Sequence, residues 1–253
     1  MVVVGQELRD LWLGGRALAL TFALSLLLSV VSYLVATNQA LNYLEQRESV
    51  NLTLQVAVAV GALLTLLAAA DTISGERERG TLESLLVTPI PRQRLAAGKL
   101  AAALSLWVGA FTVTIPYVWY LGRGIGVVVE ALAAGLVVGT LLAVFLASLG
   151  LLVSLFAGSN RVSLSVSLFL LLALFAPTQL PSSAQKGWAG ELLLRANPIT
   201  AGEHYVGTIV VDSHGWSEDV SFLLSPLVAA AVFAVAVPVL GARFLRLGGG
   251  RAR

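Results

Sequence analysis

Six stretches of this chain run for fifteen or more residues without a single Asp, Glu, Lys, Arg or His: 17–36, 52–70, 100–121, 131–156, 162–176 and 220–240. No other feature constrains the fold as tightly. A helix needs about 20 mostly apolar residues to cross the hydrocarbon core of a bilayer. Most of the runs reach that length, and 162–176 does so by borrowing Ser159 and Asn160. With no water in the core, a crossing segment must satisfy its own backbone, which helices do. The expected fold is therefore an all-α membrane protein with six spans. Composition agrees: of 253 residues, 57% are hydrophobic and 12% charged, against about 45–50% and 25% in soluble domains.

The segments between the runs give the organisation. Residues 1–15 are too few to span, but Leu8, Leu11 and Trp12 share one helical face while Glu7, Arg9 and Asp10 turn away. This predicts an interfacial helix with Trp12 at headgroup level. Glu7 and Asp10 are foreign to the basic start of a signal peptide, and Leu34-Val35-Ala36 is a poor cleavage site, so 17–36 is expected to be a retained span. Residues 37–51 read as a polar loop, 122–126 as a glycine turn and 157–161 as a tight turn. The largest segment outside the spans is 177–219. It holds two apolar stretches, 188–196 and 199–211, split at Asn197-Pro198, each apolar enough to lie at the membrane surface or dip into it and too short to cross.

Small residues mark close helix contacts. Ala57, Gly61, Thr65 and Ala69 recur every fourth residue, as do Gly135, Gly139, Ala143 and Ala147. Both stripes let a neighbouring helix approach, in the same chain or in a second copy. Pro116 should kink its span. Trp107, Tyr117, Trp119 and Tyr120 suggest an aromatic belt. Ser163, Ser165 and Ser167 either line a path or, as the favoured expectation, bond back to carbonyls of their own helix.

With both termini inside, twelve lysines and arginines fall on the inner side and four (Arg47, Arg123, Lys186, Arg195) outside. That is the positive-inside pattern, and it predicts a multi-pass cell-membrane protein with cytoplasmic termini and 177–219 outside.

Several chemistries are missing. The net charge of +2 gives no reason to expect a nucleic-acid partner. Without cysteine there is neither a disulfide nor a thiolate metal site. His204 and His214 make a weak metal pair. No span offers a nucleophile with a base. The spans also lack the ionisable residues that ion-coupled carriers keep in the membrane. GxxxxGK[ST] is absent: Gly98-Lys99 has Gln93 in place of the first glycine and Leu100 after it.

A chain with no energy source of its own needs an inlet for work. The candidate is the longest polar island between spans, 71–99, which carries five of the sixteen basic residues. After Gly80, residues 81–86 read as a short helix. Leu82, Leu85 and Leu86 line one face of it, and Glu83 lies off that face. Glu76, Arg77, Glu78 and Arg79 alternate in sign before it, and Pro89 and Pro91 end it. Such a hook suits a groove on a soluble partner; the bland alternative is a charged loop with a chance amphipathic turn.

The island resembles the segment between the second and third spans of ABC type-2 transporter permeases. It is most similar to their single-domain branch, which includes the permease of nitrous-oxide reductase maturation and drug or antibiotic exporters. The pattern E-R-x-x-G-T-L-E-x-L-L-x-T-P is met by Gly80, Thr81, Leu82, Glu83, Leu85, Leu86, Thr88 and Pro89, with either Glu76-Arg77 or the closer-spaced Glu78-Arg79 as the charged pair. The following arginine and Gly98-Lys99 match as well. The resemblance implies one permease domain over 1–253 and a coupling helix in 71–99. Glu76, Arg77, Glu78, Arg79, Gly80, Thr81, Leu82, Glu83, Leu85 and Leu86 would dock an ATP-binding cassette ATPase subunit, with Gly75 and Gly80 permitting the turns. It further implies a permease homodimer, export, no catalysis by this chain, and ATP and magnesium bound by the partner. The alternative is a non-transporting anchor or assembly factor that recruits a soluble protein through the same island.

Overall fold

The structure, a computed structural model, describes residues 2–37, 43–82, 91–179 and 187–244. Its α-helices are α1 (Val2–Leu13), α2 (Arg16–Ala36), α3 (Tyr43–Glu78), α4 (Arg92–Gly122), α5 (Val128–Phe156), α6 (Asn160–Phe175), α7 (Trp188–Ala196), α8 (Pro198–Val210) and α9 (Leu224–Phe244). Short 3-10 turns, Ala176–Gln179 and Val220–Leu223, extend α6 and lead into α9. No strand occurs among the described residues. Six helices are long and apolar enough to cross a membrane: α2, α3, α4, α5, α6 with its 3-10 extension, and α9 with the turn before it.

Helix ends and bilayer ends do not coincide. α3 has 36 residues, about 54 Å at 1.5 Å per residue, nearly twice the hydrocarbon thickness. The polar loop expected at 37–51 is helical from Tyr43 onward, and the island is helical from Asp71 to Glu78 and again from Arg92. The reason is local. Glu, Gln, Lys and Arg are good helix formers, and nothing in 43–60 breaks a helix. α3 stops where it meets Gly80, at φ 70°. The Thr81 amide donates to the Glu76 carbonyl and the Gly80 amide to that of Arg77, the double bond that closes a helix on a left-handed residue. Gly75, expected to permit a turn, is interior to the helix. A Cβ there would sit 2.5 Å from Asp71 Oδ1 and 2.9 Å from Arg79 Nη2, so this glycine leaves room for side chains rather than bending the chain.

α5 is the most enclosed of the spans, and α3 packs along it. The stripe Gly135, Gly139, Ala143, Ala147 faces inward within this chain. A Cβ on Gly135 would meet Leu54, and one on Gly139 would lie 2.3 Å from the Trp107 ring. Ala143 and Ala147 are fully buried. At Gly150 the two backbones are in close contact, a Cβ there lying 2.5 Å from the Leu66 carbonyl oxygen. The α3 stripe turns to α4, where Gly61 contacts Trp107 and Ala110. Trp107 is thus a core residue, donating to Thr140 Oγ1 at 3.1 Å, and not part of an aromatic belt. Trp119 and Tyr120 are half-exposed, with Arg123 stacked 4.6 Å from the Tyr120 ring.

The serines of α6 behave otherwise than expected. Ser163 donates across to the Ala70 carbonyl of α3 at 2.7 Å. Ser167 is buried, and Ser165 is exposed. α3 runs alongside and offers Ser163 a carbonyl, whereas the Ser167 hydroxyl has no partner among the described residues. α7 and α8 divide at Asn197, whose side chain caps α8 through Ile199 N and Thr200 N. α8 does not lie on the surface. Ile199, Tyr205 and Val210 are fully buried against the bundle, while 13 residues reach only about 20 Å, so it enters without crossing.

Candidate functional site

The described parts of the polar island, 71–82 and 91–99, form one end of the bundle, where α3 and α4 project past the apolar core. A cluster beneath it, with Ile73, Leu82, Leu95, Leu151, Leu155 and Val237, joins four helices, α3, α4, α5 and α9, and the residue that follows the Gly80 turn. On this base the charged tail of α3 is tied to every neighbour in turn.

Glu76 and Lys99 form the centre. Lys99 Nζ lies 2.5 Å from Glu76 Oε1 and 2.7 Å from Glu7 Oε1. One lysine therefore clasps α3, α4 and α1, and it is only 1% exposed. Glu7, expected to face away from the bundle, is turned into it. Trp12 follows it inward: its Nε1 donates to Ser105 Oγ at 2.9 Å, and its ring fills the notch at Gly109. α1 is amphipathic as predicted, and Glu7 and Trp12 grip α4.

Arg77 closes the end of α5, donating to the carbonyls of Leu155 and Ala157. These are carbonyls a helix C-terminus leaves without partners, and a cation there also complements the helix dipole. Glu78 does the converse, its Oε2 accepting from the Asn160 amide at the start of α6 at 3.0 Å. Asp71 receives Arg16 of α2 at 2.9 Å and Asn160 Nδ2 at 2.7 Å, with Arg79 at 3.9 Å. Ser154 Oγ accepts from the Ser74 amide at 2.8 Å, and the Ser74 hydroxyl lies 3.0 Å from Asn160 Oδ1.

The run Glu76–Arg79, read from the sequence as the charges flanking a docking hook, is thus largely engaged with this chain's own helices. What it leaves to solvent is a short turn: Glu78, Arg79, Gly80 and Thr81 are exposed, and Leu82 is buried. Glu83, Leu85 and Leu86, with the rest of the short helix expected over 81–86, lie outside the described residues. The partners that make the end rigid, Glu7, Arg16, Asp71, Ser154 and Asn160, were not singled out by sequence reasoning. Lys99 carried a signal, being a charge placed immediately before an uninterrupted apolar run. The others are single polar residues at span edges, where a solvated role is the default reading.

The two histidines lie apart in role. His204 packs against Phe222, with ring centroids 4.4 Å apart and planes tilted by 58°. His214 Nδ1 lies 2.8 Å from Asp219 Oδ2, a bond that raises the imidazole pKa and lowers that of the carboxyl. Among the described residues no group of three or more His, Asp or Glu could hold a metal ion.

A family model described as ABC-2 family transporter protein matches residues 1–244. No curated protein matches the chain.

Proposed function

Because the chain belongs to the ABC-2 transporter family, and is a multi-pass membrane component of an ABC transporter, we propose that it is the permease of an exporter driven by a separate ATPase. That ATPase docks on the island end, which faces the cytoplasm, and binds the ATP and magnesium. Two permease copies pair in the working assembly, and 177–219 lies on the opposite side of the membrane.

The observation that carries this reading is the contrast within 76–81. The exposed turn Glu78–Thr81 is continuous with residues held by α1, α4, α5 and the start of α6. Pressure on a floppy loop would be lost as local motion. Pressure on this turn displaces α3 and whatever is clamped to it. Coupling requires an element with two arrangements whose balance a ligand shifts, and a rigid tail suits that requirement.

The test is co-expression with ATP-binding cassette subunits of the same genome. Leu85→Asp and Glu83→Arg should each abolish co-purification of the ATPase while leaving the permease in the membrane. A transported compound should raise ATPase activity of the wild-type pair. Retention of the ATPase by both variants overturns the docking assignment. An ATPase that binds but never responds to any cargo turns the reading to an anchor.

A further inference from the structure

At the island end a cleft opens between α2 and α6, both of which pack on α3, and α1 closes one side of it. Its volume is about 550 Å³, within the roughly 300–1,000 Å³ of small-molecule sites. Leu20 of α2, Leu64 and Ala68 of α3 and Leu164 of α6 give it an apolar wall. Arg16, Asp71 and Asn160 stand where those three helices reach the edge of their apolar runs, and they begin a polar rim that continues through Glu7, Asp10, Glu76 and Arg79. The rim therefore lies at headgroup depth and the wall within the hydrocarbon.

The rim carries both signs of charge, with bonding capacity to spare. Arg16 gives one Nη to Asp71 at 2.9 Å, and Arg79 approaches the same carboxylate only to 3.9 Å. Both arginine side chains are more than half exposed, and neither guanidinium makes another hydrogen bond among the described residues. On α1, Glu7 and Asp10 stand three residues apart on one face. Glu7 spends one oxygen on Lys99, and the Asp10 side chain has no partner among the described residues. Glu76 keeps Oε2 buried and unpaired. Four carboxylates and two guanidiniums line the cleft, and Lys99 behind them leaves a net charge of −1.

We propose that this cleft holds one phospholipid with a primary ammonium headgroup, of the phosphatidylethanolamine kind. Its phosphate sits between Arg16 and Arg79, its ammonium against the carboxylates of Asp10 and Glu7, and the top of one acyl chain along the apolar wall. The chemistry selects this headgroup against its neighbours. Guanidinium groups hold phosphate oxygens through paired N–H donors. A primary ammonium offers three donors to carboxylates, whereas a trimethylammonium offers none. An anionic headgroup leaves the carboxylates unmet in a site that is already negative. A simple cation leaves both arginines unmet. Bound there, the lipid joins α1 and α2 to α3 beside the Lys99 clasp. The site requires a membrane setting, and neither an ATPase nor a cargo.

The experiment equilibrates the full-length chain, purified in dodecyl maltoside, with equimolar dioleoyl-phosphatidylethanolamine, -phosphatidylcholine and -phosphatidylglycerol. Native mass spectrometry then identifies what each chain retains. One phosphatidylethanolamine per chain should be kept, about tenfold over either competitor, the value of one charge-assisted hydrogen bond. Asp10→Asn, at an exposed side chain with no partner to lose, should cut the preference over phosphatidylcholine to within about threefold. Arg79→Gln, which breaks no hydrogen bond, should lower retention of phosphatidylethanolamine and phosphatidylcholine alike. Ala68→Phe, which fills the apolar wall, should abolish retention while helical content by circular dichroism is kept. Equal retention of the three lipids, a preference for phosphatidylglycerol, or an unchanged preference in Asp10→Asn overturns the proposal. Retention by Ala68→Phe within about twofold of wild type puts the lipid elsewhere and overturns it as well. So does a dimer that carries no lipid, which would give the cleft to a second copy. None of these outcomes depends on an ATPase, so the site and the docking turn fail separately.

Discussion

Lys99 offers the sharpest quantitative test of the island end. Its ammonium is 1% exposed and contacts Glu7 and Glu76 at 2.7 and 2.5 Å, with side-chain exposures of 23% and 15% for the two carboxylates. Two negative charges and one positive leave the triad at −1. Lys99→Met keeps most of the volume but leaves the two carboxylates at −2, largely buried and without their shared cation. Removing one partner of a buried pair costs about 3–5 kcal/mol. For a chain of this size, where 1 kcal/mol shifts the midpoint by about 2–4 °C, the variant should melt about 10 °C lower by tryptophan fluorescence in detergent. The loss belongs to the orphaned charges, not to the lost bonds. Adding Glu7→Gln and Glu76→Gln to Lys99→Met should therefore recover most of it, to within about 1–2 kcal/mol of wild type, because a buried triad replaced as a whole is close to neutral. Salt up to about 0.5 M should change little, since screening acts weakly on buried pairs. A single variant within about 1 kcal/mol of wild type would show that water reaches the triad and would refute the reasoning. So would a triple variant no better than the single.

Three further expectations follow from named contacts. Gly139→Ala forces a methyl to within 2.3 Å of the buried Trp107 ring and should cost about 2–3 kcal/mol of thermal stability by overpacking, with Trp107→Leu added in the double variant restoring part of it. Arg77→Ala strips the carbonyls of Leu155 and Ala157 and should speed amide exchange across 153–162, at about 2 kcal/mol for charged hydrogen bonds, with Arg77→Lys intermediate. Glu203 has a pKa raised from 4.5 to about 7, so between those values the folded chain holds more protons than the unfolded one and stability falls as pH rises. Glu203→Gln should thus be the more stable protein at pH 8, by about 1–2 kcal/mol after discounting about 3 kcal/mol for partial exposure, and should match wild type below pH 4.5; a melt that shows no gap at pH 8 contradicts the burial.

The spans were legible because hydropathy over about 20 residues is a thermodynamic requirement of the bilayer. So was the Asn197-Pro198 break, because that dipeptide caps one helix and starts another. What the sequence hid was continuity. The polar residues at 43–51 and 71–78 report where α3 leaves the membrane, and that is a different event from unwinding. The same confusion concealed the clasp. Glu76, Arg77 and Glu78 look solvated because alternating charges on a loop are solvated. On a helix that continues past the bilayer they point, about 100° apart, at three different neighbours. The depth of α8 was equally hidden, since its 13 residues carry no signal that separates lying on a surface from being inserted in a bundle.

α3 runs from one end of the bundle to the other. Its tail holds Asp71, Glu76, Arg77 and Glu78 at the island, and its opposite half presents Gln55 to a polar cleft beside α8 that Glu203 also lines. Between them it is buried against Gly135, Gly139 and Gly150 on one side and against Trp107 and Ala110 on the other. Backbones this close do not shear smoothly, because each small residue seats a particular large one. A push on the turn at Gly80 can be absorbed locally only by breaking the clasp at Lys99 or the cap at Arg77, each costing a few kcal/mol. The cheaper response is for α3 to move with what it grips, which changes the cleft beside Gln55. Weakening the clasp should then uncouple the two ends while leaving the exposed turn at Gly80 as it is. With Lys99→Met/Glu7→Gln/Glu76→Gln the ATPase should still bind and hydrolyse, while its stimulation by cargo falls. Undiminished stimulation in that stable variant would mean the signal bypasses α3.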